Sequence, residues 1–139
     1  MKYPHQFEFR VAFRDVDLHG VLHHSNYLYY CERSRIELLR SENLNYNSIM
    51  EMGIALMLVE IKFKYLAPVK FDDILKINVG AEGIGKTSFK ILYSIEVEEK
   101  MVCEGYTQHV CVDLESLKPK KIPERLRNMF ERVLVEESS

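Results

Sequence analysis

Hydrophobic and polar positions alternate along most of the chain, with helical spacing in an early segment and again after Pro123. Phe7, Phe9, Val11 and Phe13 form a period-two run that stops at Asp15, predicting a first strand. From about Asn26 to Glu42 the spacing becomes helical, with Tyr27, Tyr30, Cys31, Ser34 and Leu38 on one stripe. The middle of that stripe is small, as close packing against a neighbour requires. Glu32 with Arg35 and Arg33 with Glu37 fall on helical neighbour spacings and read as ordinary surface pairs. A short helical turn around Ser48 to Met52 is expected to end at Gly53.

Strands account for most of the remainder. Between Leu56 and Tyr65 the odd positions Met57, Val59, Ile61, Phe63 and Tyr65 are apolar and Glu60, Lys62 and Lys64 oppose them, which predicts a long half-buried strand ended by Pro68. Leu75, Ile77, Val79 and Ala81 continue the alternation, followed by Phe89, Ile91, Tyr93, Ile95 and Val97. Gly80, Gly83 and Gly85 are expected to bend the connection. The run EVEEK reads as a hairpin tip, and Met101 to Asp113 as a last long strand. Pro123 then opens an amphipathic helix carrying Leu126, Met129, Phe130, Val133 and Leu134. A strand, a helix and then a meander of strands predicts an α+β fold, an antiparallel sheet with one early helix to cover a face.

Length and charge narrow the function classes. At 139 residues the chain suits one domain, residues 1–139, with a real core and no linkers or repeats. A net charge of -2 without a basic stripe gives no footprint for nucleic acid. No run approaches the ~20 apolar residues of a membrane span and the amino terminus lacks an apolar signal segment, so neither membrane insertion nor export is expected. Cys31, Cys103 and Cys111 make an odd count without a C-x-x-C pair, which suits a reducing, cytoplasmic setting and small core residues.

The chemistry concentrates between Phe13 and Arg35, in FRDVDLHGVLHHSNYLYYCERSR. Two carboxylates end a strand, Gly20 permits a close bend, and Ser25 or Asn26 is placed to cap the following helix. A helix start offers unpaired N–H groups and the positive end of the dipole, so a carbonyl placed there would be polarised. With Asp17 beside it, this suggests hydrolysis of an activated acyl group, which needs a carboxylate to attack or to deprotonate water and donors for the oxyanion. The plainer reading is that Asp15 and Asp17 only form turns through bonds to nearby amides. His19, His23 and His24 beside these acids raise a metal site. Adjacent His23 and His24 would need an irregular backbone to converge on one ion, and no metal or other cofactor is expected. His109 reads as a packed or surface strand residue.

The spacing D-x-D-x-x-G-x-x-x-H-x-N-Y followed by E-R-x-R resembles the hotdog-fold acyl-CoA thioesterases, on Asp15, Asp17, Gly20, His24, Asn26, Tyr27, Glu32, Arg33 and Arg35. The similarity is greatest to the 4-hydroxybenzoyl-CoA thioesterase family, in its branch associated with the Tol-Pal envelope system. The segment KYLAPVKFDDILKI, Lys64 to Ile77, is similar to that family's second signature. The resemblance implies a hotdog, a sheet wrapped around one long early helix, with a C-terminal helix. It implies Asp17 as the catalytic carboxylate and the backbone N–H of His24 as a donor to the thioester oxygen. Gly20, Asn26 and Tyr27 belong to the same substrate-binding motif. Lys86, Thr87 and Ser88 match a basic, hydroxyl-bearing segment that would hold the nucleotide end of CoA, although GIGKTS also reads as a solvated turn. Phe13 stands where the Tol-Pal branch normally has tyrosine, so that hydroxyl is lacking. The implied partners are an acyl-CoA substrate, or an acyl carrier protein, and further copies of the chain in a homodimer that assembles to a homotetramer. A hotdog dehydratase or hydratase, and a noncatalytic acyl-thioester binding module, are the alternative readings.

Overall fold

A computed structural model describes residues 1–137. Five strands form one antiparallel sheet in the order β1-β3-β4-β5-β2, with β1 His5–Arg10, β2 Ile54–Tyr65, β3 Ile74–Glu82, β4 Ser88–Val97 and β5 Lys100–Asp113. The strands adjacent in sequence after β2 pair as hairpins, β3 with β4 and β4 with β5. β1 and β2 lie at opposite edges, so the chain between them has to cross the sheet. α1, Asn26–Ser41, makes that crossing. The antiparallel sheet with an early helix on one face is what the sequence pattern predicts, and its hotdog form is what the resemblance implies.

One face of the sheet alternates apolar residues toward α1. Leu75, Ile77, Val79 and Ala81 from β3, Phe89, Ile91, Tyr93 and Ile95 from β4, and Cys103 and Cys111 from β5 are all buried. α1 answers with Tyr27, Tyr30, Cys31, Ser34, Leu38 and Leu39. Cys31 and Ser34 are small enough to let the helix approach the sheet, and the Ser34 hydroxyl returns a bond to the Cys31 carbonyl at 2.7 Å. All three cysteines are free and buried, and burial pushes the Cys31 thiol well above its ordinary value, which makes it a packing residue rather than a nucleophile. α2, Tyr46–Glu51, starts on the Asn45 side chain, which accepts from Ser48 N at 2.8 Å. α3, Glu124–Arg132, packs Phe130 against Phe89 with ring centroids 4.2 Å apart.

Several local expectations change. The first strand ends at Arg10; Phe13 lies in a short 3-10 turn, Phe13–Asp15, and is exposed. Gly80 falls inside β3, leaving Gly83 and Gly85 in the bend. β2 contains a bulge at Val59, between the pairs Leu58↔His109 and Glu60↔Gln108. One inserted residue reverses the alternation. Leu56 and Leu58 therefore share the helix-side face with Ile61, Phe63 and Tyr65, while Met57 points with Glu60, Lys62 and Lys64 to the other. Because β2 is an edge strand, Met57, Val59, Ile61 and Tyr65 are also exposed rather than half-buried.

The two expected surface pairs on α1 are replaced as well. Arg33 lies over the Phe9 ring, 4.5 Å from its centroid, and Glu37 pairs with Arg40. Arg35 turns beneath the helix, donating from Nε to the Tyr46 hydroxyl at 3.0 Å and from Nη1 to His109 Nε2 at 3.3 Å. His109 is buried and stacks on Phe89. Arginine only donates, so Nε2 is an acceptor there and the Thr107 hydroxyl, 2.8 Å away, donates to the same nitrogen while accepting from Tyr93 at 3.0 Å. Among the described residues no helix is long and apolar enough to cross a membrane.

Candidate active site

Three features place the site at the start of α1. The 3-10 turn after β1 swings Asp15 inward, where its Oδ2 accepts from the Tyr30 hydroxyl at 2.7 Å. The same hydroxyl oxygen accepts from Ala12 N at 3.0 Å. The Asp15 carbonyl takes the Asn26 side-chain amide at 2.8 Å and His23 N at 3.3 Å. Asp15 and Asn26 thus tie the loop to the first turns of the helix.

Asp17 sits outside that clamp, fully exposed, at the head of a four-residue turn. Gly20 N donates to its carbonyl at 3.0 Å, and Asp17 N donates to the Val21 carbonyl at 2.9 Å. Gly20 has φ +74, a left-handed conformation that explains glycine at the turn's end. One carboxylate oxygen, Oδ1, accepts from His19 N at 2.8 Å and Val21 N at 3.2 Å. The plainer reading of a turn-forming Asp is therefore correct for that oxygen, and Oδ2 is left without a hydrogen bond among the described residues. The Val21 and His19 amides hold the carboxyl below its ordinary value, so it is an anion at neutral pH. Pairing of the loop with residues 69–71, through Leu22 N to the Val69 carbonyl at 2.7 Å and Phe71 N to the Gly20 carbonyl at 3.0 Å, keeps the turn in place.

The helix start is open. Ser25 occupies the cap position but makes no cap bond; its hydroxyl lies 2.7 Å from His23 Nδ1 instead. The backbone N–H of His24 has no acceptor among the described residues. Its carbonyl accepts from the Tyr65 hydroxyl at 3.3 Å. A hollow of about 420 Å³ results, bordered by Asp17, His23, His24, Tyr27, Tyr65 and Pro68. Tyr27 is buried with its ring edge-on to Tyr65, and burial raises its phenol to about 12, so it is a neutral donor.

Of the residues singled out in the sequence, Asp17, His24 and Tyr27 share this hollow. Gly20 shapes the turn from the far side of Asp17, and the Asn26 side chain is engaged by Asp15. Lys86, Thr87 and Ser88 lie elsewhere. Ser88 pairs with Val110, and Val110 with Met57, which puts them roughly 25 Å along the strands from Tyr65. His23, raised in the sequence only as a metal ligand, borders the same hollow, and Tyr65 is added by the structure; the aromatic end of β2, just before Pro68, is the sequence signal for it. No group of three or more His, Cys, Asp or Glu among the described residues is arranged to hold a metal.

Residues 11–130 match the family model described as the thioesterase-like superfamily. The chain belongs to that superfamily. It is 29% identical over 124 residues to the acyl-CoA thioester hydrolase YbgC of Escherichia coli O157:H7, covering 88% of this chain and 92% of that protein. A 1,4-dihydroxy-2-naphthoyl-CoA hydrolase of Nostoc punctiforme is 29% identical over 122 residues, 87% of this chain and 82% of the relative. Among solved structures, a hypothetical protein of Aquifex aeolicus superposes with TM-score 0.86 at 29% identity, covering 91% of this chain and 99% of its own. A 1,4-dihydroxy-2-naphthoyl-CoA thioesterase of Synechocystis superposes with TM-score 0.84 at 26% identity, covering 90% and 93%.

Proposed function

We propose that this thioesterase-superfamily member hydrolyses acyl-CoA, releasing a carboxylic acid and free CoA. The observation that carries the reading is an ionised carboxylate, Asp17, and a main-chain donor, His24 N–H, without an acceptor among the described residues, bordering one hollow at a helix start whose Ser25 makes no cap bond. Relatives named as acyl-CoA and naphthoyl-CoA hydrolases support the substrate class.

In this mechanism the thioester oxygen takes the His24 N–H, where the helix dipole favours the charge that develops. Asp17 Oδ2 either removes a proton from water as it adds to the carbonyl carbon, or attacks that carbon itself. In both routes the carbon–sulfur bond breaks and CoA leaves as its thiolate, which then takes a proton from solvent. The first route leaves the acid directly; the second passes through an anhydride that water opens. The chain functions as a homodimer that assembles to a homotetramer in the cytoplasm. Two copies joined along β2 in antiparallel fashion would carry one copy's Lys86, Thr87 and Ser88 toward the other's Asp17, where they would meet the nucleotide of CoA. Acyl carrier protein would present its thioester to the same mouth.

Thiol release from a panel of acyl-CoA esters tests the activity, and Asp17→Asn tests the residue. The variant should lose about 100- to 10,000-fold in kcat. Full activity of Asp17→Asn would remove Asp17 from the mechanism. Single turnover in ¹⁸O water separates the routes, because label enters the Asp17 carboxyl only if it attacks directly.

A further inference from the structure

Two donors at the start of α1 stand without a partner among the described residues. The first is on the main chain. Ser25 N donates to His23 Nδ1 at 3.2 Å, Asn26 N to the His23 carbonyl at 2.9 Å and Tyr27 N to the His24 carbonyl at 3.4 Å, which leaves the His24 N–H as the open amide of this stretch. The second is a side chain. Three tyrosines are almost wholly enclosed, Tyr27 at 3% exposure, Tyr30 at 0% and Tyr93 at 1%. Tyr30 engages its hydroxyl with Asp15 and Tyr93 with Thr107. The Tyr27 hydroxyl makes no hydrogen bond to any described residue, although its ring is held edge-on against Tyr65. The neighbouring Tyr65 hydroxyl is given to the His24 carbonyl. No side-chain nitrogen or oxygen sealed from solvent lacks a partner among the described residues, so the Tyr27 oxygen meets the hollow it borders rather than the core. Enclosed polar groups in folded proteins are almost always hydrogen-bonded, and one left open on a hollow points to a ligand.

We propose that the Tyr27 hydroxyl is a second catalytic donor, binding the thioester oxygen from the enclosed side of the hollow while the His24 N–H binds it from the helix end. The assignment rests on the thioesterase reading for the identity of the ligand. A carbonyl oxygen accepts hydrogen bonds and donates none, which matches a pair of donors. As water or Asp17 adds to the carbonyl carbon, the π pair of the C=O bond moves onto that oxygen and both hydrogen bonds strengthen. When the carbon–sulfur bond breaks, the pair returns to the carbonyl and the sulfur departs with its bonding electrons. No proton leaves the phenol, which burial keeps un-ionised. The hydroxyl is already out of water before substrate arrives, so little reorganisation opposes its action on the developing charge. Asp17 on the exposed side and Tyr27 on the enclosed side thus act on opposite ends of one carbonyl.

Tyr27→Phe in the full-length protein separates this role from packing. Thiol release should fall about 100-fold or more in kcat, with KM changed by less than about threefold, because the donor acts mainly on charge present in the transition state. Its Tm should equal or exceed that of the wild type, since the substitution removes a hydroxyl that bonds to nothing in the fold. Unchanged kcat would overturn the proposal. So would a lowered Tm accompanying the loss of kcat, which would make the hydroxyl part of the framework. Infrared difference spectra of octanoyl-CoA labelled with ¹³C at its carbonyl, bound to the full-length Asp17→Asn protein, read the contact without turnover. Adding Tyr27→Phe should raise the carbonyl stretching frequency, and an unmoved band would overturn the assignment. Failure of the thioesterase reading looks different: wild-type protein frees no thiol from any ester, while the band still moves with Tyr27.

Discussion

At Asp17 a single carboxylate divides its labour, one oxygen held by two backbone amides and the other presented to solvent. Those amides favour the charged form, so the proposed base or nucleophile is ionised at neutral pH without any deprotonating partner. The sign follows: a depressed pKa keeps the anion present until pH falls below the ordinary value of 3.8. The acidic limb of kcat/KM should therefore lie below pH 3.8, as far as the fold survives to be measured; a limb near 6 would point to an imidazole instead. His109 has the opposite consequence, for stability. Burial, and then the nearby Arg35, lower its pKa from 6.5 to about 3. Between those values the unfolded chain holds the extra proton, so stability is full above pH 6.5 and declines as pH falls toward 3. A His109→Gln variant should show a shallower fall of Tm between pH 7 and 4 than the wild type, read by thermal melts.

At the scale of elements, the helix stripe and the three central strands were readable because each presents a regular period to a single core. The β2 bulge was not, since a period-two pattern has no mark for one inserted residue, and Met57 through Tyr65 alternate in sequence across a backbone that does not. Arg33 and Arg35 were misread for a related reason: neighbour spacing on a helix reports who is near on the same surface and nothing about a ring or hydroxyl brought in from another element. For the site, the Asp17-to-His24 segment is local and was legible; Tyr65 reaches His24 from 41 residues away, and only the sheet brings it there. Close strand contact also makes β5 sensitive. A Cβ on Gly105 would fall 1.9 Å from the Lys62 carbonyl oxygen and 2.7 Å from the Phe63 ring, so Gly105→Ala must push β2 and β5 apart. We expect a loss of about 1–3 kcal/mol or more in denaturant unfolding. The β4–β5 hairpin offers the reverse. Glu98 and Glu99 have φ 50 and φ 66, which a side chain adopts at a cost. Replacing them by Asn-Gly should raise stability by about 1 kcal/mol in the same measurement.

For the molecule as a whole, the unpaired edge of β2 carries Val59, Ile61 and Tyr65 in the open, the kind of surface that sheet proteins cover. If copies join there, Val59→Lys with Ile61→Lys should yield monomers in sedimentation, and thiol release should fall with them, because the turn of a second copy proposed to hold the nucleotide would no longer be supplied. Loss of assembly with full activity would place the whole site within one chain. The two borders of the sheet are unlike. β1 is half the length of β2, six residues against twelve, and is studded with Gln6, Glu8 and Arg10. If the long margin of one ribbon meets its twin, what is left outside is the short, charged margin of each, which offers a further chain little to extend.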